Sequence, residues 1–222
     1  MSSNVTYKYI RQNPDIHTYI KNADAAVAVQ GYTEHSFTHV EKVAGTVKMI
    51  LEGLGCDKRK VELGMIAAYM HDIGNVINRI DHAQSGAVMA FRLLDNLNMP
   101  AEEICDIISA IGNHDEGTAQ PLNAITAALI IADKTDVRRS RVRNINALAN
   151  DIHDRVNFAV EKSELAFNED KTELILELTI DNRISSVMEY FEIFMNRMIL
   201  CKKSAEFLGV RFRIRANGSD LV

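Results

Sequence analysis

The chain has 222 residues, which is enough for one domain of ordinary size or for one domain with a small appendage. Its composition, with 47% hydrophobic and 25% charged residues, excludes bulk disorder. The net charge of -5 disfavours generic nucleic-acid binding, which needs a basic surface. There is no apolar signal core, no bilayer-spanning stretch and no CxxC pair, so we expect a soluble cytoplasmic protein in which Cys56, Cys105 and Cys201 are reduced core residues.

The N-terminal part of the chain is predicted to be helical. Residues 4–31 have helical patterns, with a break or a new start at Asn13-Pro14. The next predicted helix carries apolar residues on one face: Val40, Val43, Ala44, Val47, Leu51 and Leu54. His39 lies one turn before Val43, so we expect it on the buried face. His35 lies one turn earlier and could reach the same place, although a partly exposed position at the helix end fits it better.

A histidine followed directly by an aspartate, His71-Asp72, ends the next predicted helix, which starts at about Lys58. Residues 65–70 of this helix are too apolar to be exposed, so the pair enters the interior. An unpaired charge costs roughly several kcal/mol there. From this dipeptide alone, a metal ion and a core histidine bonded to its neighbour are equally good explanations. We expect Gly74 to end the helix in the left-handed conformation.

Two further predicted helices each place a histidine near the interior. Asp81 is predicted to cap the first, with Gln84 completing a capping box and His82 as its first residue. The core face of this helix is predicted to consist of Ala83, Gly86, Ala87, Ala90, Phe91 and Leu94. Pro100 opens the second helix, whose apolar stripe consists of Ile104, Ile107, Ile108 and Ile111. Because His114 continues this stripe, it is predicted to point inward.

A carboxylate lies on the core face of the next predicted helix, which Pro121 opens. Asp133 comes four residues after Leu129 in the apolar segment AITAALIIAD. A buried aspartate is usually paired or acts as a ligand, because burying it alone is costly. The helix is predicted to continue through Arg138, Arg139, Arg141, Arg143, Ile145, Leu148 and Ile152. We interpret its arginines as a solvated face.

The hydrophobic period changes after about residue 155. Leu165 and Phe167 alternate with polar residues, a polar turn follows, and apolar residues alternate again from Leu174 to Ile180, which predicts a β-hairpin. A strand is predicted from Val210 to Arg215. Between the hairpin and this strand, the sequence predicts a long helix that ends at Gly209 and buries Ile184, Val187, Met188, Phe191, Met195 and Met198.

These elements predict a mainly α fold with two parts. Residues 1–155 form a helical domain, and residues 156–222 form a small α+β appendage with the order β-β-α-β. A sheet of three strands with one helix is too small to be stable alone. We therefore expect the appendage to pack on the helical domain or on a second copy of itself, which would make a homodimer.

Ligand-type side chains are predicted to reach the interior from separate helices or helix ends: His39, His71, Asp72, His82, His114 and Asp133. Separately satisfied core residues are a poor explanation for such a set. Imidazole and carboxylate without thiolate suit Fe, Mn, Zn or Mg. Six ligands exceed the need of one open catalytic ion, but they suit two ions that share a carboxylate at a separation of about 3.5–4 Å. His17 and His153 lack this context, and we interpret them as structural or surface residues.

The sequence resembles, over roughly residues 35–143, the HD superfamily of metal-dependent phosphohydrolases, whose signature matches His39, His71-Asp72 and Asp133. His82 and His114 resemble the binuclear branch, which includes diiron hydrolases of dinucleoside polyphosphates. The resemblance implies an all-helical HD-type domain with two divalent ions, Fe or Mn foremost and Zn, Co or Mg as alternatives. It further implies that Asp72 bridges the ions, with the remaining ligands divided as His39, His71 and Asp133 for one ion and His82 and His114 for the other.

Two departures limit what the resemblance implies. Many relatives have a lysine that can meet phosphate where this chain has Asn75. The additional motif of the cyclic-dinucleotide phosphodiesterase branch is absent, so that activity is not transferred. The sequence also has no phosphate loop, dinucleotide-binding fingerprint, HExxH or GxSxG motif.

The chemistry that these residues permit is hydrolysis at phosphorus by a metal-bound hydroxide. Two cations would lower the pKa of a shared water, orient it and neutralise charge on the phosphoryl oxygens, with Asp72 acting between them. Lys134 directly follows a ligand and is the preferred phosphate contact, ahead of Arg141. Asp115, beside His114, would protonate a leaving group or, equally, cap a loop. The expected partner is a small phosphorylated substrate, in the first place a nucleotide.

Two other interpretations stay open. A diiron oxygenase is the second enzyme class, because some oxygenases on this helical scaffold use the same order of six ligands. A metal-bound sensing or interaction module is the third, in which the β-β-α-β unit binds an effector or partner. The intact ligand set favours catalysis, whereas the missing lysine keeps the sensing module open as an alternative.

Overall fold

A computed structural model describes residues 5–145 and 151–221 of the chain. The helices before the sheet are α1 (Tyr7–Gln12), α2 (Pro14–Val29), α3 (Phe37–Gly53), α4 (Lys58–Met70), α5 (His82–Asn96), α6 (Ala101–Gly112), α7 (Ala124–Lys134) and α8 (Ile152–Ala159). Short 3-10 turns occupy Ile73–Val76 and Arg139–Arg141. The remaining elements are β1 (Val160–Phe167), β2 (Glu173–Ile180), α9 (Val187–Phe207), β3 (Arg211–Ala216) and β4 (Ser219–Asp220).

Polar caps start several of these helices where the sequence provides them. The Asn13 side chain accepts hydrogen bonds from the backbone at the start of α2, and Pro14 is its first residue, so the predicted break is confirmed. Ser36 and Asp57 cap α3 and α4 in the same way. These caps fix the starts of the two helices that deliver His39 and the pair His71-Asp72.

The helices pack around one hydrophobic core. α3 packs against α4 and α7, α4 also contacts α6 and α7, and α5 packs against α6. The apolar faces of these helices are buried there, including Val43, Val47, Ile66, Ile107, Ile111 and Leu129. None of the helices in the described residues combines the length and apolar character that a bilayer-crossing segment needs. The predicted helical fold with a small C-terminal sheet is confirmed.

The sheet has the strand order β1-β2-β3-β4. β1 and β2 form the predicted hairpin, in which Leu165 lies opposite Leu176. β3 runs parallel to β2, with Leu176 opposite Ile214, so α9 is the crossover between parallel strands. The short strand β4 pairs with Arg215 and Ala216 at the end of β3 and extends the predicted β-β-α-β unit.

The helix α9 joins the sheet to the helical part, because it packs against both α7 and β3. One continuous hydrophobic cluster contains residues of both parts, including Leu129 of α7, Phe194 of α9 and Ile214 of β3. The appendage therefore packs on the helical domain, as expected. The division at residue 155 and the homodimer both stay predictions.

The helix α7 differs from its prediction at both ends. Asn123, rather than Pro121, caps its start. The helix ends at Lys134, where the hydroxyl of Thr135 donates to a backbone carbonyl four residues earlier (2.7 Å). The predicted continuation through the arginines is therefore wrong, because the chain leaves helical geometry before it reaches them. Leu148, which was assigned to that continuation, lies outside the described residues.

The predicted capping box at the start of α5 is wrong. Asp81 has a left-handed backbone with φ of 56°, and its side chain makes no capping hydrogen bond. The side chain of Gln84 instead donates to Gly112 O (3.2 Å) and to Thr118 Oγ1 (3.1 Å), which ties α5 to the end of α6. Gly74 is not left-handed either, because it lies inside the first 3-10 turn.

Two predicted core faces contain residues that the structure exposes. Phe91 of α5 is 46% exposed, and Met188 and Met195 of α9 are 76% and 47% exposed. Apolar residues occupy more than one side of α9, so their spacing alone did not select the side that packs. The buried face of α9 consists of Tyr190, Phe194, Met198, Cys201, Ser204 and Ala205.

The cysteines have three different environments. Cys201 is buried in α9, whereas Cys56 is half-buried and Cys105 is exposed on α6. All three are free thiols. The expectation that they are core residues is therefore right for Cys201 and wrong for Cys105.

Candidate metal centre

The ligand-type side chains predicted from the sequence converge on one place, which we call the candidate metal centre. Its members are His39 from α3, His71 and Asp72 from the end of α4, His82 from the start of α5, His114 from the loop after α6, and Asp133 from α7. All of them are buried apart from Asp133, whose side chain is 13% exposed. The structure brings together every residue that the sequence assigned as a ligand.

A close backbone contact joins the turn after His71-Asp72 to the start of α5, which carries His82. Gly74 lies just after His71-Asp72, and a Cβ atom added to it would overlap with His82 O and lie 2.5 Å from Gly86 N. Only glycine permits this approach. The glycine is therefore needed for contact between the turn after α4 and the start of α5, rather than for a left-handed helix end.

Each imidazole of the candidate metal centre uses its Nδ1 atom for a hydrogen bond away from the centre. The acceptors are Asp136 Oδ2 for His39 (2.8 Å), Ala68 O for His71 (2.7 Å), Arg79 O for His82 (3.0 Å) and Ile111 O for His114 (2.6 Å). Because carbonyl and carboxylate oxygens only accept, Nδ1 donates in each case. In the neutral form of each ring, the proton-free Nε2 then faces the centre, which is the arrangement of metal-binding histidines.

Several buried polar atoms of the centre have no hydrogen-bond partner in the described residues. They are Nε2 of His39, Nε2 of His71 and Oδ2 of Asp72. His71 Nε2 lies 3.2 Å from Asp72 Oδ2, and His39 Nε2 lies 3.3 Å from Asp133 Oδ1, but without hydrogen-bond geometry. Unsatisfied buried polar atoms are costly, and a cation would satisfy all three. The residues present therefore fit a metal ion.

Asp72 lies between two parts of the centre. Its Oδ2 atom is 3.2 Å from Nε2 of His71, whereas its Oδ1 atom is 3.5 Å from Nε2 of His82. The side chains form three overlapping groups, and within each group the potential ligand atoms lie within 4.8 Å of one another. The groups are His39, His71 and Asp72; His71, His114 and Asp133; and Asp72, His82 and His114. The two oxygens of Asp72 thus point to different groups, as a carboxylate shared between two ions requires.

The charges of the centre shift several pKa values. Burial lowers the pKa of His71, but the negative charges of Asp72 and Asp133 outweigh burial and raise the pKa to about 10, so this ring gives up a proton when a cation binds. Burial raises the pKa of both aspartates, yet His71 beside Asp72 and Lys134 beside Asp133 hold them well below their usual range. Burial and the charge of His71 lower the pKa of His114 to about 3. The carboxylates are therefore ionised and attract positive charge to this place.

Asp136, which was not predicted from the sequence, binds His39 on the side of the ring that faces away from the candidate metal centre. Its Oδ2 atom accepts the Nδ1 hydrogen bond of His39, and its Oδ1 atom lies 2.9 Å from both Lys42 Nζ and Arg138 Nε. Burial raises the pKa of Asp136, but the His39 hydrogen bond and the charges of Arg141 and Lys42 hold it well below its usual range. Asp136 follows the end of α7, where the helical period gives no signal.

The same segment is bound to the sheet. Lys42 Nζ donates to Ser163 O of β1 (3.3 Å) as well as pairing with Asp136. Ser163 Oγ donates to Thr135 O (2.6 Å), directly before Asp136. β1 therefore holds the backbone that carries the carboxylate behind His39.

A cavity of about 420 Å³ opens over the candidate metal centre. Its wall includes the cations Arg79, Lys134, Arg141 and Arg197. Lys134 Nζ donates to Asp133 Oδ2 (2.8 Å), and Arg197 Nε is 2.6 Å from Glu116 Oε1. The cavity thus combines carboxylates and imidazoles at its base with these four cations on its walls, which also include Glu116, Asp151 and Asp154.

Two residues of the cavity wall are more buried than the sequence suggested. Arg141 is 6% exposed, and its Nε atom donates to Glu34 O (2.9 Å), so its interpretation as part of a solvated face is wrong. His35 is 8% exposed, and its Nδ1 atom donates to Thr33 O (2.6 Å), so the expected partly exposed position is also wrong. Burial lowers the pKa of both side chains. The error for His35 follows from treating a helix-end residue as solvated, and the error for Arg141 follows from continuing the predicted helix past Lys134.

The remaining predicted residues have less central positions. Asp115 Oδ1 is 3.9 Å from His82 Nε2. Burial raises the pKa of Asp115, but the charges of Lys134 and the imidazoles lower it overall, which favours the carboxylate over the acid form. His153 lies at the cavity rim with 66% of its side chain exposed, and His17 packs against aromatic rings of α3 and α4.

This chain is similar to several known proteins. A profile of the HD domain family matches residues 36–152, which is more than half of the chain and includes the whole candidate metal centre. An uncharacterized protein of Methanocaldococcus jannaschii is 25% identical over 199 residues, covering 79% of this chain and 76% of that protein. A solved structure described as a predicted HD superfamily hydrolase, from an uncultured Thermotogales bacterium, is 24% identical, with a TM-score of 0.44 over 56% of this chain and 67% of that chain.

Proposed function

Because this chain belongs to the HD domain family, we propose that it is a metal-dependent phosphohydrolase with a binuclear centre. Its substrate is a nucleotide or a similar small molecule with a phosphoester or phosphoanhydride bond. The observation that carries the proposal is the placement of Asp72 between two ligand groups, with an oxygen turned to each. Iron and manganese are the proposed metals because the family resemblance implies them, and the nitrogen and oxygen donors are compatible with both.

We propose the division of ligands that the family resemblance implies. His39, His71, Asp72 and Asp133 would hold one ion, and His82, His114 and Asp72 would hold the other. Asp133 Oδ1 lies 3.3 Å from His39 Nε2 and 3.7 Å from His71 Nε2, which supports the first set, and Asp72, His82 and His114 form one close group. When bound, the ions supply Lewis acidity and a nucleophilic hydroxide at neutral pH. The amide of Asn75 donates to Asp72 Oδ1 (2.9 Å) and fixes the orientation of the shared carboxylate. Lys134 adds positive charge at the base of the cavity and orients Asp133.

The lowered pKa of Asp115 favours the ionised carboxylate, so we assign Asp115 no step in this proposal. The cavity is large enough for a small phosphorylated molecule, and its walls carry the positive charge that such a substrate needs. This combination distinguishes the cavity from a purely apolar ligand pocket.

The first experiment counts the ions. Protein purified without oxygen and fully loaded should contain about two metal ions per chain by elemental analysis, as expected for a two-metal site. Asp72→Ala should lose both ions, because it removes the shared ligand, whereas His114→Ala should mainly weaken one. A content of about one ion per chain in the loaded wild type would contradict the binuclear centre.

The second experiment tests the reaction. A panel of nucleotides and other phosphoesters is incubated with the loaded protein in the absence of oxygen, and released phosphate is measured. Release with either Mn or Fe at comparable rates is the expected result, since hydrolysis needs no change of oxidation state. Turnover that requires both iron and oxygen would instead identify an oxygenase. Tight metal binding without turnover of any kind would identify a sensing module.

A further inference from the structure

The four cations in the cavity wall differ in how far their charge is already balanced. Lys134 and Arg197 lie 2.8 Å and 2.6 Å from carboxylate oxygens. Arg141 is buried, donates to two backbone carbonyls and lies 3.7 Å from the Asp136 carboxylate. These three cations already have anionic partners or backbone acceptors, which leaves less of their charge for a ligand.

Arg79 has a different environment. Its Nη1 atom donates to the neutral amide oxygen of Asn75 (3.2 Å), and the nearest carboxylate oxygen in the described part of the chain is Asp72 Oδ1 at 4.0 Å. The side chain is 24% exposed and lines the cavity. Its positive charge is therefore the least compensated of the four.

The guanidinium of Arg79 is also held in a defined position beside the candidate metal centre. Nη1 lies 3.4 Å from Nε2 of His82, and the guanidinium carbon lies 5.5 Å from the centre of the Tyr32 ring. Asn75 fixes both Asp72 and Arg79, because its amide nitrogen donates to the first and its oxygen accepts from the second. The backbone of Arg79 is positioned as well, since its carbonyl accepts from His82.

We propose that Arg79 is the residue that binds the phosphate oxygens of the substrate, on the His82 side of the candidate metal centre. This inference rests on the proposed function and adds the residue that sets the preference for phosphorylated molecules. A guanidinium suits the task, because its planar donors match two oxygens of one phosphate. The stacked ring of Tyr32 and the amide of Asn75 orient these donors before the substrate arrives.

The test uses Arg79→Gln and Arg79→Lys in the full-length, metal-loaded protein. Arg92→Gln is the matched control, because Arg92 is an exposed arginine of α5, the helix that follows Arg79. Inorganic phosphate is the probe, and its affinity is measured by calorimetry. Loss of a hydrogen-bonded charge should weaken phosphate binding roughly 10- to 100-fold in Arg79→Gln. The loss should be smaller in Arg79→Lys, which keeps the positive charge but lacks the two parallel N–H donors of the guanidinium. Metal content should equal that of the wild type.

Kinetics add a second measurement. With a hydrolysed substrate from the panel, Arg79→Gln should raise KM by a similar factor, and Arg92→Gln should change neither KM nor phosphate affinity. Unchanged phosphate affinity and KM in Arg79→Gln would overturn the inference, as would a loss of metal large enough to explain the effect. If the wild type hydrolyses nothing but binds phosphate through Arg79, the proposed function fails while the binding residue stands.

Discussion

The substitution Asp136→Asn tests whether the carboxylate behind His39 is needed for both stability and metal binding. Asp136 is 2% exposed, and its two oxygens have different partners: Oδ2 accepts from His39, and Oδ1 faces Lys42 and Arg138. Asparagine has the same shape but only one acceptor oxygen. Whichever way its amide is turned, an NH2 group meets a donor on one side.

The expected cost follows from these contacts. A buried hydrogen bond to a charged group contributes about 1.5–3 kcal/mol, whereas the Lys42 pair contributes at most about 1 kcal/mol because the Lys42 side chain is 38% exposed. We therefore expect a loss of about 2–4 kcal/mol in the free energy of unfolding and a fall in Tm of roughly 5–15 °C. Without its partner, the ring of His39 is no longer oriented, so metal affinity should fall about 10- to 100-fold.

Urea unfolding of the metal-free protein at pH 7 gives the first quantity, and metal titration gives the second. Because the pKa of Asp136 is lowered on folding, its contribution to stability is complete above the unfolded value of about 3.9 and is lost as the pH falls below it. The difference between wild type and Asp136→Asn should therefore shrink in acid. Asp170→Asn, in the exposed β1–β2 turn, is the control. A change below about 0.5 kcal/mol together with unchanged metal affinity would refute the reasoning.

Three further outcomes are expected. Gly74→Ala should lower the free energy of unfolding by about 3 kcal/mol or more, because the added Cβ would meet backbone atoms. Gly45→Ala, in open space on α3, should instead raise the free energy of unfolding by about 0.5–1 kcal/mol. Urea unfolding of both variants checks the two opposite signs. A chain ending at Asp154 lacks α9 and should aggregate or lose helical circular dichroism, since α7 then exposes the face that α9 covers; an unchanged monomer in gel filtration would contradict this. Cys105 should react with a thiol reagent at once, whereas Cys201 should react only on unfolding. Burial raises the pKa of the Cys201 thiol. The neutral Cys201 thiol therefore contributes fully to stability below the unfolded pKa of about 8.5, and this contribution is lost as the pH rises above that value.

The ligands could be predicted from sequence because apolar helical periodicity surrounds each of them. His39 and Asp133 lie within amphipathic helices, and His71, His82 and His114 lie within two residues of a helix end. A helical period assigns such residues to the core face without knowledge of the tertiary contacts. That explains why the sequence predicts all six side chains that the structure brings together.

The supporting residues could not be predicted in this way. Asp136 and Arg79 lie in irregular segments after α7 and before α5, where no period relates a residue to a face. Arg141 was misassigned because the predicted helix continued past Lys134. On that longer helix, Arg141 was interpreted as part of a solvated face, whereas the structure buries it. On α9, apolar residues on several sides left the choice of the packed face to α7 and β3, which are distant in sequence.

The hydrogen bonds between Ser163 and Thr135, and between Lys42 and Ser163, have a consequence for how this chain can be recombined. The sheet supplies a backbone carbonyl and a hydroxyl group to the residues that support His39. The sheet of another protein therefore cannot replace it without loss of these hydrogen bonds. A chimera that keeps the helices but takes its first strand from another protein must reproduce a small hydroxyl residue at this position in the same register. Transplanting the helical part into an unrelated host would likewise leave Lys42 and Thr135 without their hydrogen bonds to Ser163. Module boundaries for protein engineering are therefore better placed beyond β1 than at the residue where helices give way to strands.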